Sequence, residues 1–196
     1  MRYLTVYYAL SSPTTTAQLC TKSLKSSRFL KVFYECTKAA LDAGCNFLDN
    51  AEVYADGAAE VSMGKVLKRL NVDRSELVIS TKLFWGGKGV NQRGLSRKHI
   101  IEGLNKSLKR LDLEYVDLLF CHRPDNDTPI EEIVRAMNHV IDQGKVFYWG
   151  TSEWAADQLA EANGVADRLG LIGMYSYTND FPFFFFFFFF LYFLFF

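Results

Sequence analysis

The chain has 196 residues, enough at the usual ~150 per domain for one domain with a sizeable core. Lys plus Arg number 22 and Asp plus Glu number 22, so the formal charge is zero and the long-range field that gathers nucleic acid or anionic lipid is absent. Four cysteines, Cys20, Cys36, Cys45 and Cys121, form no C-x-x-C pair and no tight spacing with His99, His122 or His139; no metal site or disulfide framework is expected, and the cysteines read as small buried thiols in a reducing compartment.

Residues 1–30 match no repeating unit. Leu4–Leu10 reads as a strand and Ser11–Ser27, rich in Ser, Thr and Lys, as a mobile connection. No cleavage site and no arginine-rich amphipathic helix follows the apolar run, so it reads as neither a signal nor a transit peptide. From Lys31 onward, helical periodicity alternates with short β-branched or aromatic runs. Phe33–Ala43 predicts a helix closed by Gly44, Cys45–Asn50 a buried strand and Ala58–Leu70 a second helix. Glu76–Lys82 is the next strand, Gly86–Gly94 a glycine-rich loop, and Ser96 the N-cap of a helix running to Leu111. Tyr115–Cys121 is a third strand. Thr128 and Glu131 form a capping box, with Pro129 in the first turn of a helix that runs to Gln143 and stops at Gly144. Val146–Trp149, Ala155–Leu169 and Leu171–Tyr175 read as strand, helix and strand.

The last segment is different in kind. Twelve of the 18 Phe lie between Phe181 and Phe196, and the rest of the chain is ordinary in aromatic content. The run Phe183–Phe196 is shorter than the ~17–25 apolar residues a membrane span needs, so it reads as translated low-complexity sequence from a faulty gene model, and a membrane contact is expected only through it. Composition thus divides the chain into an N-terminal segment 1–30, a βα domain 31–180 and a Phe-rich tail 181–196. Repeated βα units with right-handed crossovers fit either an open doubly wound sheet or part of a closed (β/α)₈ barrel. A full barrel takes ~250 residues, so a barrel here is an incomplete one.

Four stretches choose between these folds: FLDNAEVYADGAAE (Phe47–Glu60), STKLFWGG (Ser80–Gly87), GLSRKHIIEGLNKSLKRLDLEYVDLLFCHRPD (Gly94–Asp125) and YWGTSEW (Tyr148–Trp154). Over Lys31–Ile172 they resemble the aldo-keto reductase superfamily, and within it the β subunits of voltage-gated potassium channels and their plant and microbial relatives. The resemblance implies an incomplete (β/α)₈ TIM barrel of parallel strands, a cytoplasmic oxidoreductase that uses NADPH without a Rossmann fingerprint, and a small aldehyde or ketone as substrate. It places the catalytic tetrad on Asp49, Tyr54, Lys82 and His122, counts Asp49, His122, Ser152 and Glu153 as cofactor-binding, with Ser152 on the nicotinamide carboxamide, and puts Trp85 in the substrate pocket. Channel β subunits often carry Asn where His122 stands, so His122 points toward the enzyme-like relatives. They also carry Arg where Glu153 stands, and a carboxylate near cofactor phosphates is unhelpful.

The residues themselves agree. Asp49, Lys82 and His122 fall at or just past the C-terminal ends of three strands, and Tyr54 in the loop after the first, which is the face where barrels place their chemistry. Taken singly they read as a cap, a surface ring, a solvated strand end and a structural histidine; their joint occurrence carries the assignment. A carbonyl oxygen accepting hydride at its carbon must gain a proton, and a phenol of pKa ~10 is a poor donor at neutral pH unless an ammonium stabilises its phenolate. Lys82 suits that task, Asp49 would orient the lysine, and His122 could donate to the oxygen as charge develops. The glycine-rich stretch Gly86–Gly89 spells neither phosphate-binding motif, and the basic run Arg97–Arg110 reads as a solvated helix face.

After Ile172 the resemblance decays, with Thr178 about where the family has a glutamine beside the nicotinamide, and the last two βα units have no counterpart. The expected consequences are weak NADPH binding, impaired turnover and self-association through open sheet edges and the Phe run. Two other functions stay open beside carbonyl reduction: a regulatory β subunit on a potassium channel, and a nonfunctional fragment.

Overall fold

The computed structural model describes residues 27–178. The strand expected at Leu4–Leu10 and the Phe run from Phe183 lie outside the described residues.

Helix α1 (Ser27–Asp42) begins six residues before the expected Phe33, because Phe29 stacks on Phe33 with centroids 6.1 Å apart and extends the apolar stripe by a turn. Strand β1 (Phe47–Asp49) is shorter than the run Cys45–Asn50. A tight kinked turn (Tyr54–Gly57), with Ala55 and Asp56 in the left-handed region at φ 51° and 53°, then leads into α2 (Ala58–Leu70). Glu76, expected to open the next strand, belongs instead to a 3₁₀ turn, Arg74–Glu76. Asp73 caps it, accepting from the Ser75 N–H at 2.9 Å and hydroxyl at 2.8 Å, and these bonds hold its carboxyl below the usual carboxylate range. Strand β2 (Val78–Leu83) carries Val78, Ser80 and Lys82 on one face and Ile79, Thr81 and Leu83 on the other.

Helix α3 (Arg97–Leu111) has Ser96 as its N-cap, whose hydroxyl accepts from the His99 N–H. Strand β3 (Val116–Cys121) and helix α4 (Ile130–Asp142) follow. The capping box expected from Thr128 and Glu131 does not form: Pro129 is the N-cap, the Thr128 hydroxyl donates to Asp125 at 2.8 Å, and Glu131 pairs with Arg135 and Arg168. Strand β4 (Val146–Ser152) runs three residues past Trp149, so Ser152 ends a strand and caps no helix; α5 (Ala156–Leu169) has Ala155 as its N-cap.

The last strand, β5 (Ser176–Thr178), lies beyond the expected Leu171–Tyr175. That apolar stretch is fastened by single bonds instead of a ladder. Leu171 N–H closes α5 on the Ala166 carbonyl, Ile172 is bonded through its N–H and carbonyl to the Asn138 amide and through its carbonyl to the Trp149 indole, and Tyr175 N–H reaches the Trp149 carbonyl.

The sheet order is β1-β2-β3-β4-β5 and every pair is parallel. Strands in sequence order, with a helix between each pair, make a section of a (β/α) barrel; a doubly wound sheet would reverse its order at a switch point. The register aligns Asp49 with Ser80, Lys82 with Phe120, Phe120 with Gly150 and Ser152 with Thr178, which sets the side chains of Asp49, Ser80, Lys82, Phe120 and Ser152 in rows across one face. The opposite face meets the helices: Leu48, Ile79, Leu83, Leu119 and Trp149 join Met63, Leu104, Ile133 and Ala162 in one apolar cluster.

Helices α2 and α3 touch at Gly64, where a Cβ would come within 2.3 Å of the Leu111 carbonyl oxygen. Backbone cannot retreat as a side chain can. Gly64→Ala is therefore expected to cost about 1–3 kcal/mol by overpacking, which outweighs the ~1 kcal/mol that alanine gains in helix propensity. A lowered urea midpoint with an unchanged slope would show it; a stabilised variant would mean that the helices separate without cost.

The cysteines divide by environment. Cys121 is buried in β3, where desolvation pushes its thiol up, but Cys36 is exposed on α1, contrary to the expectation of a buried thiol there. A maleimide pulse on the folded chain, read by peptide mass mapping, is expected to modify Cys36 and spare Cys121 until denaturant is added. Equal labelling of both would contradict the packing of β3.

Candidate active site

Asp49, Lys82 and His122 sit at the C-terminal ends of β1, β2 and β3, because three parallel strands in register deliver their last residues to one rim. His122 extends the ladder one residue beyond β3, its N–H donating to the Leu83 carbonyl at 3.0 Å. Tyr54 reaches the rim from the turn after β1; its N–H is held by the Ala51 carbonyl at 3.1 Å, and two successive left-handed residues, Ala55 and Asp56, turn the chain away behind it.

Lys82 is the centre of the cluster. Far from being a solvated strand end, it is 4% exposed. Its ammonium forms an ion pair with Asp49 Oδ2, donates to the Asn50 carbonyl at 3.0 Å, and lies 3.3 Å from the Tyr54 hydroxyl. The same Nζ is 5.0 Å from the centre of the Tyr54 ring. A buried ammonium is tolerable only when paired and fully bonded, and the Asp49 carboxylate, itself nearly dry, supplies the pairing. The His122 ring meets Tyr54 edge-on, with centroids 5.8 Å apart at 85°. The structure thus brings Asp49, Tyr54, Lys82 and His122 together at one rim.

Ser152, 1% exposed at the end of β4, accepts from Arg123 Nη1 at 3.3 Å. Arg123 also donates to the His122 carbonyl at 2.6 Å and pairs through Nε with Glu153 Oε2 at 2.9 Å. Glu153 stands at φ 57°. Its carboxylate is therefore neutralised locally, so the unhelpful charge expected beside a phosphate is offset by Arg123, a residue the sequence reading passed over although it follows His122 directly.

Trp85 belongs to an adjoining cluster. Its ring packs edge-on against Phe84 at 4.5 Å under the Arg93 guanidinium at 4.3 Å, and an antiparallel bridge from Trp85 to Arg93 folds the glycine-rich loop into a tight flap. Buried Glu52 anchors the base of this flap, accepting from the Phe84 N–H at 2.7 Å and pairing with His99 Nε2 at 3.1 Å. Gly86 lies on that pair so closely that a Cβ would come within 2.6 Å of both partners. Asp125 fastens the other end, its Oδ2 accepting from the Leu95 N–H at 2.6 Å and the Thr128 hydroxyl.

Sequence reasoning also missed Ser80, which is fully buried and donates to Asp49 Oδ1 at 2.5 Å. The signal was present, since a residue two before Lys82 shares its face of the strand. Among the described residues no group of three or more His, Cys, Asp or Glu is placed to hold a metal ion, and no helix is long and apolar enough to cross a membrane.

Residues 30–183 match the aldo/keto reductase family. A probable voltage-gated potassium channel subunit beta from Arabidopsis thaliana is 66% identical over 132 residues, covering 67% of this chain and 40% of that protein. Its counterpart from Oryza sativa subsp. japonica is 64% identical over 136 residues, covering 69% and 42%. The chain thus spans about two fifths of the length of these relatives.

Proposed function

Because the chain belongs to the aldo/keto reductase family, we propose that the rim formed by β1 to β4 serves the NADPH-dependent reduction of an aldehyde or ketone. The observation that carries this reading is the contact of the buried Lys82 ammonium with the Tyr54 hydroxyl, backed by Asp49.

The residues present fit a nicotinamide dinucleotide at its reactive end. A carboxamide needs both a donor and an acceptor, and the buried Ser152 hydroxyl, at the end of β4 and bonded to Arg123, can act as either. When bound, the nicotinamide supplies hydride to the carbonyl carbon. The chain's own residues manage the proton and the developing charge. Tyr54 gives its hydroxyl proton to the substrate oxygen; the phenolate that remains is stabilised by the neighbouring ammonium, which Asp49 keeps charged and in place. His122, in edge contact with Tyr54, donates toward the same oxygen as negative charge builds there. Trp85 and the flap to Arg93 form the apolar wall against which the rest of a small carbonyl compound packs.

The test is a turnover assay with NADPH and an aromatic aldehyde, following dinucleotide oxidation together with alcohol formation. Alcohol formed in step with NADPH loss supports the reading. Its absence, when fluorescence titration shows the dinucleotide bound, overturns it. NADPH preference over NADH and a cytoplasmic setting belong to the same proposal.

The names of the two relatives favour a second reading, in which a chain of this kind is a regulatory subunit on a potassium channel; assembly with copies of itself is the alternative to either role. Co-purification with a channel's cytoplasmic tetramerisation domain, and a mass measured by light scattering, separate these from a free reductase.

A further inference from the structure

The proposed reduction leaves one buried hydroxyl at the rim without a task. Ser80 lies in the middle of β2, is the cross-strand partner of Asp49, and has no exposed surface. Its hydroxyl donates to Asp49 Oδ1, while Oδ2 of the same carboxylate pairs with Lys82. We propose that Ser80 is a positioning residue for the carbonyl reduction inferred above, on which this role rests: it fixes the Asp49 carboxylate so that a single oxygen meets Lys82 and the ammonium stays directed at Tyr54.

The argument is one of competing acceptors. The terminal torsion of an aspartate is broad, so a carboxylate held on one side only can swing. In a site as dry as this, with the Lys82 and Asp49 side chains 5% and 8% exposed, water is a poor substitute for the lost donor. Without the Ser80 hydroxyl both oxygens turn toward Nζ. The ammonium then moves toward the carboxylate and off the 3.3 Å contact with the Tyr54 hydroxyl. Among the described residues, the titratable groups that face Tyr54 include Lys82 from β2 and His122 from the end of β3, with Asp49 of β1 behind the lysine. The Ser80 hydroxyl donates to Asp49, so its effect on Tyr54 passes through that carboxylate.

The experiment reads Tyr54 directly and needs no turnover. The full chain is labelled with tyrosine enriched in ¹³C at Cζ, the Tyr54 signal is assigned by its loss in Tyr54→Phe, and its ionisation is followed in wild type, Ser80→Ala and Ser80→Thr. In wild type the Tyr54 midpoint is expected below those of the other tyrosines. Ser80→Ala should raise it by about half a pH unit or more, and Ser80→Thr should restore it. A low wild-type midpoint that Ser80→Ala leaves in place overturns the role of Ser80 alone. A wild-type Tyr54 that ionises with the other tyrosines overturns the lysine-assisted proton donor, and with it the carbonyl-reduction reading. If Ser80→Ala does not fold, Ser80→Cys, close in volume but a weak donor, is expected to give the same upward shift, and an unmoved midpoint there counts against the proposal.

Discussion

Tyr54→Phe is expected to slow the proposed carbonyl reduction by about 10²–10⁴-fold while leaving NADPH affinity essentially unchanged, the range that a lost general acid typically produces. The substitution removes one oxygen and keeps the ring, so the edge contact with His122 and the packing over Lys82 persist. What disappears is the proton, and with it the only change the ammonium at 3.3 Å is placed to assist. The loss should fall on kcat, because the interaction matters in the transition state more than in the bound ground state. Lys82→Met should approach the same rate from the other side, leaving a phenol whose conjugate base has no adjacent cation. The two losses should not add in the double variant, since each disables the same step. Steady-state kinetics with an aromatic aldehyde, paired with a fluorescence titration of NADPH, measures both quantities. A Tyr54→Phe protein within about tenfold of wild type would place the proton donor elsewhere.

Arg110→Met is expected to destabilise the fold by about 3 kcal/mol, the lower end of the range for breaking a buried ion pair, because Arg110 keeps a quarter of its side chain in water. Its partner has no such access. Glu60, on α2, is wholly buried between the sheet and α3, and its two oxygens accept from the Thr81 hydroxyl and from Arg110 Nε, each at 2.6 Å. Removing the guanidinium strands a carboxylate with one neutral donor. At about 2–4 °C per kcal/mol for a chain of this size, the melting temperature should fall by roughly 6–12 °C. The double replacement Glu60→Leu with Arg110→Met should recover much of the loss, since apolar groups of similar volume often replace a buried pair at little cost. Thermal melts of both variants decide the matter. An Arg110→Met chain within about 1 kcal/mol of wild type would mean that water reaches Glu60 from behind.

Arg110 also marks the boundary of what the sequence makes legible. Local patterns carry the strand order, the ends of α2 and α3 and the Ser96 cap, because an apolar period and a capping hydroxyl act within a few residues of themselves. The meeting of Asp49, Lys82 and His122 at one rim was legible for the same reason, since each falls at or just past a strand end inside a recognisable motif. Pairings across the fold were not. Arg110 looked like part of a solvated basic face, yet its partner is fifty residues away; Glu52 and His99 are forty-seven apart, and neither position signals the other. The error at Leu171–Tyr175 has the opposite origin. Five suitable residues were available for a strand, but Asn138 and Trp149 take the Ile172 backbone groups with their side chains, and the ladder forms only after Tyr175. Thr128 and Glu131 failed likewise, each drawn off by a stronger partner, Asp125 and two arginines.

The sequential order of the parallel strands bears on how the chain collapses. Each strand finds its partner about 25–40 residues along the chain, and because closure entropy grows only with the logarithm of loop length, the four closures differ by a few tenths of a kcal/mol. No pairing waits on a distant one. The ion pair of Asp49 with Lys82 spans just the first of these closures, so the charged heart of the rim is complete once β1 meets β2, well before β4 brings Ser152 alongside. Amide protection acquired during refolding would then appear at Ile79 and Ser80 independently of its arrival at Gly150 and Thr151, as in an array of neighbouring repeats and unlike a sheet whose central strand must come last.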